Sequence, residues 1–178
     1  MKILVLTMGG TIDAQAFPEG ETPYYSTPGD GHLAVRTLKE LAQDHKIQAA
    51  FTCIEICNKD SKDLDDNDRK KLADAALENA QGYERIVVTT GTDKMTDTAH
   101  DLKHKIAAFS LPCPLVFTGA MWPLANTELS DGRANLELAA FSNHNAKPDI
   151  YIAMHGLFVP CGQIRKDFEK RKFVLNDA

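Results

Sequence analysis

Short apolar runs alternate with amphipathic stretches along this chain. Lys2–Leu6, Ile47–Ile56, Arg85–Thr89, Pro114–Thr118 and Asp149–Met154 are rich in residues that suit a strand. Continuous apolar strands of this kind fit a sheet covered on both faces. Between them, apolar residues recur at helical spacing. Ala34, Leu38 and Leu41 mark one face, and Leu72, Ala75, Ala76 and Ala80 a second. Ala99, Leu102, Ile106 and Phe109 mark a third, and Ala134, Leu138 and Phe141 a fourth. Strand and helix in repetition predict an α/β fold: a doubly wound, mostly parallel sheet with flanking helices and right-handed crossovers. Asp13–Gly31 breaks the pattern. Its prolines and glycines exclude a helix, and a hairpin or lid bearing Tyr24 and Tyr25 is expected there.

Composition narrows the classes. The 178 residues suit one domain, 43% are hydrophobic, and the net charge is −5. An acidic balance speaks against a nucleic-acid partner. No apolar run spans a membrane, and the apolar start is too brief for a signal peptide, so a cytoplasmic protein is expected. Cys53, Cys57, Cys113 and Cys161 lie in or beside apolar runs without CxxC spacing, as reduced core thiols would. The six histidines are scattered. His100 and His104 share a helix face but lack the glutamate of a zinc motif. No metal or cofactor is expected.

In an open parallel sheet, ligands bind beyond the carboxyl ends of the strands. Those positions hold Thr7-Met8-Gly9-Gly10-Thr11-Ile12-Asp13, Asn58-Lys59-Asp60-Ser61-Lys62-Asp63, Thr90-Gly91-Thr92-Asp93-Lys94, Gly119-Ala120-Met121 and Arg165-Lys166-Asp167. Two of these loops are Gly-Thr loops. Glycine permits a tight turn and close approach, and each loop then presents a hydroxyl. A dinucleotide fingerprint would need GxGxxG opening into a helix, and a phosphate loop would need Gly-Lys-Ser/Thr. Neither is present.

These blocks resemble bacterial-type L-asparaginases. Met8-Gly9-Gly10-Thr11-Ile12 resembles the TGGTI signature, and Thr90-Gly91-Thr92-Asp93-Lys94-Met95 resembles HGTDTM. Ser61-Lys62-Asp63-Leu64 resembles SxDM, and Thr118-Gly119-Ala120-Met121 with Pro123 resembles GAMRP. Asp131-Gly132 with Asn135-Leu136 resembles DGxxNL, and Ile164-Arg165-Lys166 resembles the VTK segment. The resemblance implies hydrolysis of the L-asparagine side-chain amide with Thr11 as nucleophile. It implies a second cluster of Thr92, Asp93 and Lys166, and an assisting tyrosine, Tyr24 or Tyr25. Gly10, Asp60, Ser61, Gly91 and Ala120 would bind substrate, Ser61 and Asp93 holding its α-carboxylate and α-amino groups. Ala120 would meet the leaving amide through its backbone.

Three departures stand beside the resemblance. Met8 replaces a threonine, and Lys62 replaces a glutamine near the substrate. The chain also reads as a short form, one catalytic domain over 1–178 without the smaller C-terminal domain of larger relatives. A homodimer or dimer of dimers is expected, to cover a strand-end crevice that hydrolysis through an acyl intermediate needs shielded.

Bland readings accompany each assignment. Thr11 and Thr92 could serve as caps or turn residues, and Ser61 could cap the helix that follows. Lys166 sits in a charge run of the kind that usually forms a solvated face. An amino-acid-binding or regulatory module, or an amidohydrolase for glutamine, are the rival functions.

Overall fold

A computed structural model describes residues 1–14 and 33–176 of the chain. Tyr24, Tyr25 and all but the first two residues of the expected lid, Asp13–Gly31, lie outside them. The main sheet is built from β1 (Lys2–Thr7), β2 (Ala50–Glu55), β3 (Arg85–Thr89), β4 (Leu115–Thr118), β5 (Ile150–Met154) and β6 (Leu157–Pro160). Their order is β2-β1-β3-β4-β5-β6. The first five run parallel and β6 returns antiparallel along β5. The helices are α1 (Leu33–Asp44), α2 (Asp66–Asn79), α3 (Met95–Lys105) and α4 (Gly132–Phe141). The expected α/β, mostly parallel sheet is the fold observed.

Side chains alternate across a strand, and here the alternation fills two cores. Leu4, Leu6, Ile86, Val88, Leu115 and Phe117 face one side, where Leu72 and Ala76 of α2 meet Ala99 and Leu102 of α3. Ile3, Val5, Val87 and Val116 face the other, against Ala34, Leu38 and Leu41 of α1 and Leu136, Ala139 and Ala140 of α4. The interior strands are thus buried on both faces. Strand β2 is largely exposed because it is the sheet edge.

Two helical faces differ from their sequence reading. Helix α3 stops at Lys105, so the chain has turned before Phe109, which stands 61% exposed. In α4 the inward stripe is Asn135, Leu136, Ala139 and Ala140, and Ala134 points outward. Asn135 is buried because its amide is bonded, and this polar residue hid the true phase of the stripe. Of the four free cysteines, Cys113 and Cys161 are buried, Cys57 is half-buried and Cys53 is exposed.

Strands β7 (Ile164–Asp167) and β8 (Lys172–Leu175) form a separate antiparallel hairpin that the charged sequence concealed. Ile164 and Phe173 are buried while Arg165 is exposed, so the hairpin presents alternate residues inward. Lys166 falls on the inward phase, directly opposite Phe173.

Arg85, at the start of β3, is buried, and among the described residues no carboxylate pairs with it. Its guanidinium donates to the carbonyl oxygens of Ala139 at 2.8 Å, Ser142 at 2.6 Å and Asn143 at 2.9 Å. They lie at and just beyond the C-terminus of α4, where a cation also suits the helix dipole; Asn143 O accepts from Ala146 N as well, at 3.0 Å. Arg85→Met is expected to lower unfolding stability by about 2–4 kcal/mol, because several acceptors lose a charged donor together. Urea denaturation checks this. An unchanged midpoint would mean that water replaces the guanidinium without loss.

Candidate active site

The loops leaving β1 and β3 touch through their backbones. Gly10 has φ 84° and ψ −179°, a conformation open essentially to glycine alone. A Cβ there would lie 2.2 Å from Gly91 N. A Cβ on Gly91 would in turn lie 2.8 Å from Ser61 Oγ. The same packing ties Met8 into the sheet end: its N–H donates to Thr89 O at 2.9 Å, and its carbonyl accepts from Lys59 N at 3.2 Å. Its side chain is buried in the core, which accounts for an apolar residue at that position.

Thr11 follows Gly10 and opens a 3-10 turn, Thr11–Asp13, half-buried at the strand end. Thr92 follows Gly91. The two threonines therefore stand one residue beyond two touching glycines. Ser61 is buried, and its hydroxyl accepts the backbone N–H of Lys94 at 3.3 Å. It caps no helix. Asp60 caps the 3-10 turn Ser61–Asp63 by accepting from Lys62 N at 2.9 Å, and Asp65 caps α2 through a reciprocal box with Asp68.

Lys166 reaches this edge from the hairpin. Its side chain is 7% exposed, and Nζ donates to Thr92 Oγ1 at 2.7 Å and to Asp93 Oδ1. The second carboxylate oxygen of Asp93 pairs with Lys62 Nζ at 2.7 Å. Burial pushes the Asp93 carboxyl up, but the hydrogen bonds from Lys166 and Lys62 outweigh it, and the group stays below the ordinary carboxylate range. Lys62 is itself pushed up by its bond to Asp93.

Ala120 lies buried in the loop after β4. That loop is held by Asp131, whose Oδ1 accepts from Met121 N at 2.8 Å and Trp122 N at 3.1 Å. Asn135 adds a bond to Gly119 O at 3.0 Å and one to Asp131 Oδ2 at 2.9 Å. The structure thus brings Gly10, Thr11, Ser61, Gly91, Thr92, Asp93 and Lys166 to one sheet edge, with Asp60 and Ala120 in the flanking loops. Sequence reasoning missed the Lys62–Asp93 pair and the supporting role of Asp131 and Asn135. The DGxxNL-like block held the signal for the latter. Among the described residues, no cluster of His, Cys, Asp or Glu could hold a metal ion.

The fold is shared with known proteins. The sequence pattern of the asparaginase N-terminal domain matches residues 2–171. An L-asparaginase of Thermococcus kodakarensis is 32% identical over 154 residues, 86% of this chain and 44% of that protein. The solved thermostable L-asparaginase of that organism superposes with a TM-score of 0.74 at 27% identity, covering 98% of this chain and 51% of that one. A probable cytoplasmic L-asparaginase from Campylobacter jejuni gives 0.70 at 26% identity, covering 99% and 53%. A parallel α/β domain with hydroxyl, carboxylate and amine groups gathered at its strand ends is the class that fold and site define. The chain belongs to the asparaginase family, and matches its N-terminal domain. It spans about half the length of the relatives it matches.

The lowered carboxyl of Asp93 sets a pH expectation. A depressed folded-state pKa contributes stability that is present above the unfolded value and is lost as pH falls through the folded value. The Asp93 pairs should therefore persist to below the ordinary carboxylate midpoint and break only in stronger acid. Carboxyl-carbon NMR of Asp93 reads this directly, and Lys166→Met should move its midpoint upward. A midpoint unmoved by that substitution would contradict the pairing.

Proposed function

We propose that this chain hydrolyses the side-chain amide of L-asparagine to L-aspartate and ammonia, with Thr11 as nucleophile and Thr92, Asp93 and Lys166 as a cooperating unit. The observation that carries the reading is the bonding of Lys166 Nζ to both Thr92 and Asp93 at an edge where two Gly-Thr loops meet. Amide hydrolysis needs an activated nucleophile, a route for its proton and donors for an oxyanion. The hydroxyl of Thr11 attacks the amide carbon, forming an acyl-oxygen bond as ammonia departs. Water then cleaves the ester and releases aspartate. Lys166 and Thr92 form the proton relay. If Lys166 gives up a proton, the other oxygen of Asp93 still faces a cation: Lys62 in the free chain, and the substrate α-ammonium once it has displaced Lys62. Backbone N–H groups of the Gly-Thr loops and of Ala120 are the oxyanion donors.

Substrate recognition falls to Ser61 and Asp93 for the α-carboxylate and α-ammonium, with Gly10, Asp60 and Gly91 shaping the pocket. An α-ammonium arriving at Asp93 takes the side held by Lys62, which is 64% exposed and leaves readily. Tyr24 or Tyr25 assists Thr11. The Lys62–Asp93 pair is also the observation that favours a second reading, a binding module whose substrate subsite is filled by its own lysine. Residues 1–178 act as one catalytic unit in the cytoplasm; four free cysteines suit a reducing compartment. Among the described residues no helix is long and apolar enough to cross a membrane.

Ammonia release from L-asparagine and L-glutamine by the purified chain tests the function. Thr11→Ala should lower kcat by about three orders of magnitude or more. Thr92→Val and Lys166→Met should each be severe, and the double variant little worse than the worse single, because members of one unit are non-additive. Fully multiplicative losses would separate Lys166 from Thr92. Absence of turnover with tight asparagine binding would favour the binding module.

The active form is a homodimer or a dimer of dimers whose interface adjoins the strand-end crevice. Light scattering over a dilution series, read beside specific activity, checks this assembly. A monomeric mass with full activity at every concentration would refute it.

A further inference from the structure

Among the described residues, the hairpin that delivers Lys166 pairs with no strand of the main sheet. Ile164 and Phe173 pack into the core and Lys166 makes its own bonds to Thr92 and Asp93; beside these, the hairpin backbone is bonded to the side chain of His155, in the turn between β5 and β6. Phe173, directly across the hairpin from Lys166, donates its backbone N–H to His155 Nδ1 at 3.0 Å. The rings of His155 and Phe173 also meet edge to face, with centroids 6.0 Å apart. An Nδ1 that accepts carries no proton, so the ring hydrogen sits on Nε2. Nε2 faces Asp131 Oδ2 at 3.1 Å. The backbone N–H of His155 donates to Asn135 Oδ1 at 2.9 Å.

The same Asp131 and Asn135 hold Gly119, Met121 and Trp122, the loop that contains Ala120. His155 is therefore the joint between two parts of the candidate site: the hairpin bearing the amine and the loop bearing the amide donors. Its φ of 51° is uncommon for a residue with a side chain, and the three polar contacts hold the turn in that conformation.

We propose that His155 is a positioning residue that sets Lys166 against Thr92 and Asp93 by anchoring the Phe173 backbone. It does not touch substrate. The inference rests on the catalytic reading of Lys166 given above, and it predicts a specific pattern. Removing the Nδ1 acceptor should impair the chemical step, with little effect on substrate affinity. Asparagine at this position presents an acceptor oxygen at about the place of Nδ1 and tolerates positive φ, so it should rescue.

The test compares His155→Leu and His155→Asn in the full chain by two measurements. In steady-state ammonia release, His155→Leu should lower kcat by about tenfold or more, with KM within about twofold. His155→Asn should keep kcat within about threefold of the parent. Amide hydrogen exchange is read in parallel. Phe173 should lose protection selectively in His155→Leu, with Val5 and Val87 unchanged, and regain it in His155→Asn. Full kcat in His155→Leu would overturn the proposal. So would an equal loss in both variants, or Phe173 exchange that follows the core strands. If the parent chain releases no ammonia, the proposed function fails, and the Phe173 exchange pattern still decides the anchoring. If His155→Leu does not fold, His155→Asn decides: parent-like kcat and Phe173 protection support the proposal, and loss of either overturns it.

Discussion

A close backbone contact governs the strand-end edge of this molecule. Gly10 and Gly91 approach so nearly that no side chain fits between them, and Gly91 is pressed against Ser61 in the same way. Three loops from three different strands are thereby fixed relative to one another by close packing, to which the Ser61 hydroxyl adds its bond from Lys94 N. Rigid placement of hydroxyls is what a reaction needs when its reactants must meet in one geometry. The glycines are the means: Gly10 has a positive φ, and at either position a Cβ would force the loops apart.

Around that contact, charge is arranged economically. One carboxylate, Asp93, divides its two oxygens between a buried amine and an exposed one. The buried partner, Lys166, is held from a hairpin outside the main sheet. The exposed partner, Lys62, occupies the solvent side. A buried ammonium without a counter-charge would be strongly destabilising, so the site depends on Asp93 remaining ionised. The low carboxyl range of that residue is the direct result of its two lysines.

Support for the edge lies one layer out. Asp131, Asn135 and His155 bond chiefly to backbone atoms, and through them the β4 loop and the β7–β8 hairpin share one polar joint. Such groups are expensive to bury unless each finds a partner. Their mutual satisfaction is why Asn135 can be buried among apolar residues, with Asp131 and His155 half-buried beside it.

Much of the fold was legible in the chain alone. Runs of branched apolar residues near Ile3, Val87 and Val116 marked interior strands, because burial on both faces leaves little room for polar alternation. The two Gly-Thr loops were equally plain, since glycine at a strand end carries its conformational purpose in its identity. Less was visible where identity and environment part company. The exposure of β2 follows from its place at the sheet edge, and edge position is a property of strand order, which local pattern does not encode. The phase of α4 was hidden because Asn135 is buried on account of partners far along the chain. Lys166 looked like one member of a solvated charge run. Its partners Thr92 and Asp93 lie 74 and 73 residues away in sequence. Only the folding of a hairpin, with its alternation of inward and outward residues, turns that one lysine inward while Arg165 stays in water. Local chemistry was written in the residues. Which polar groups meet was decided by long-range packing, because a buried charge is tolerated only where distant segments bring it a partner.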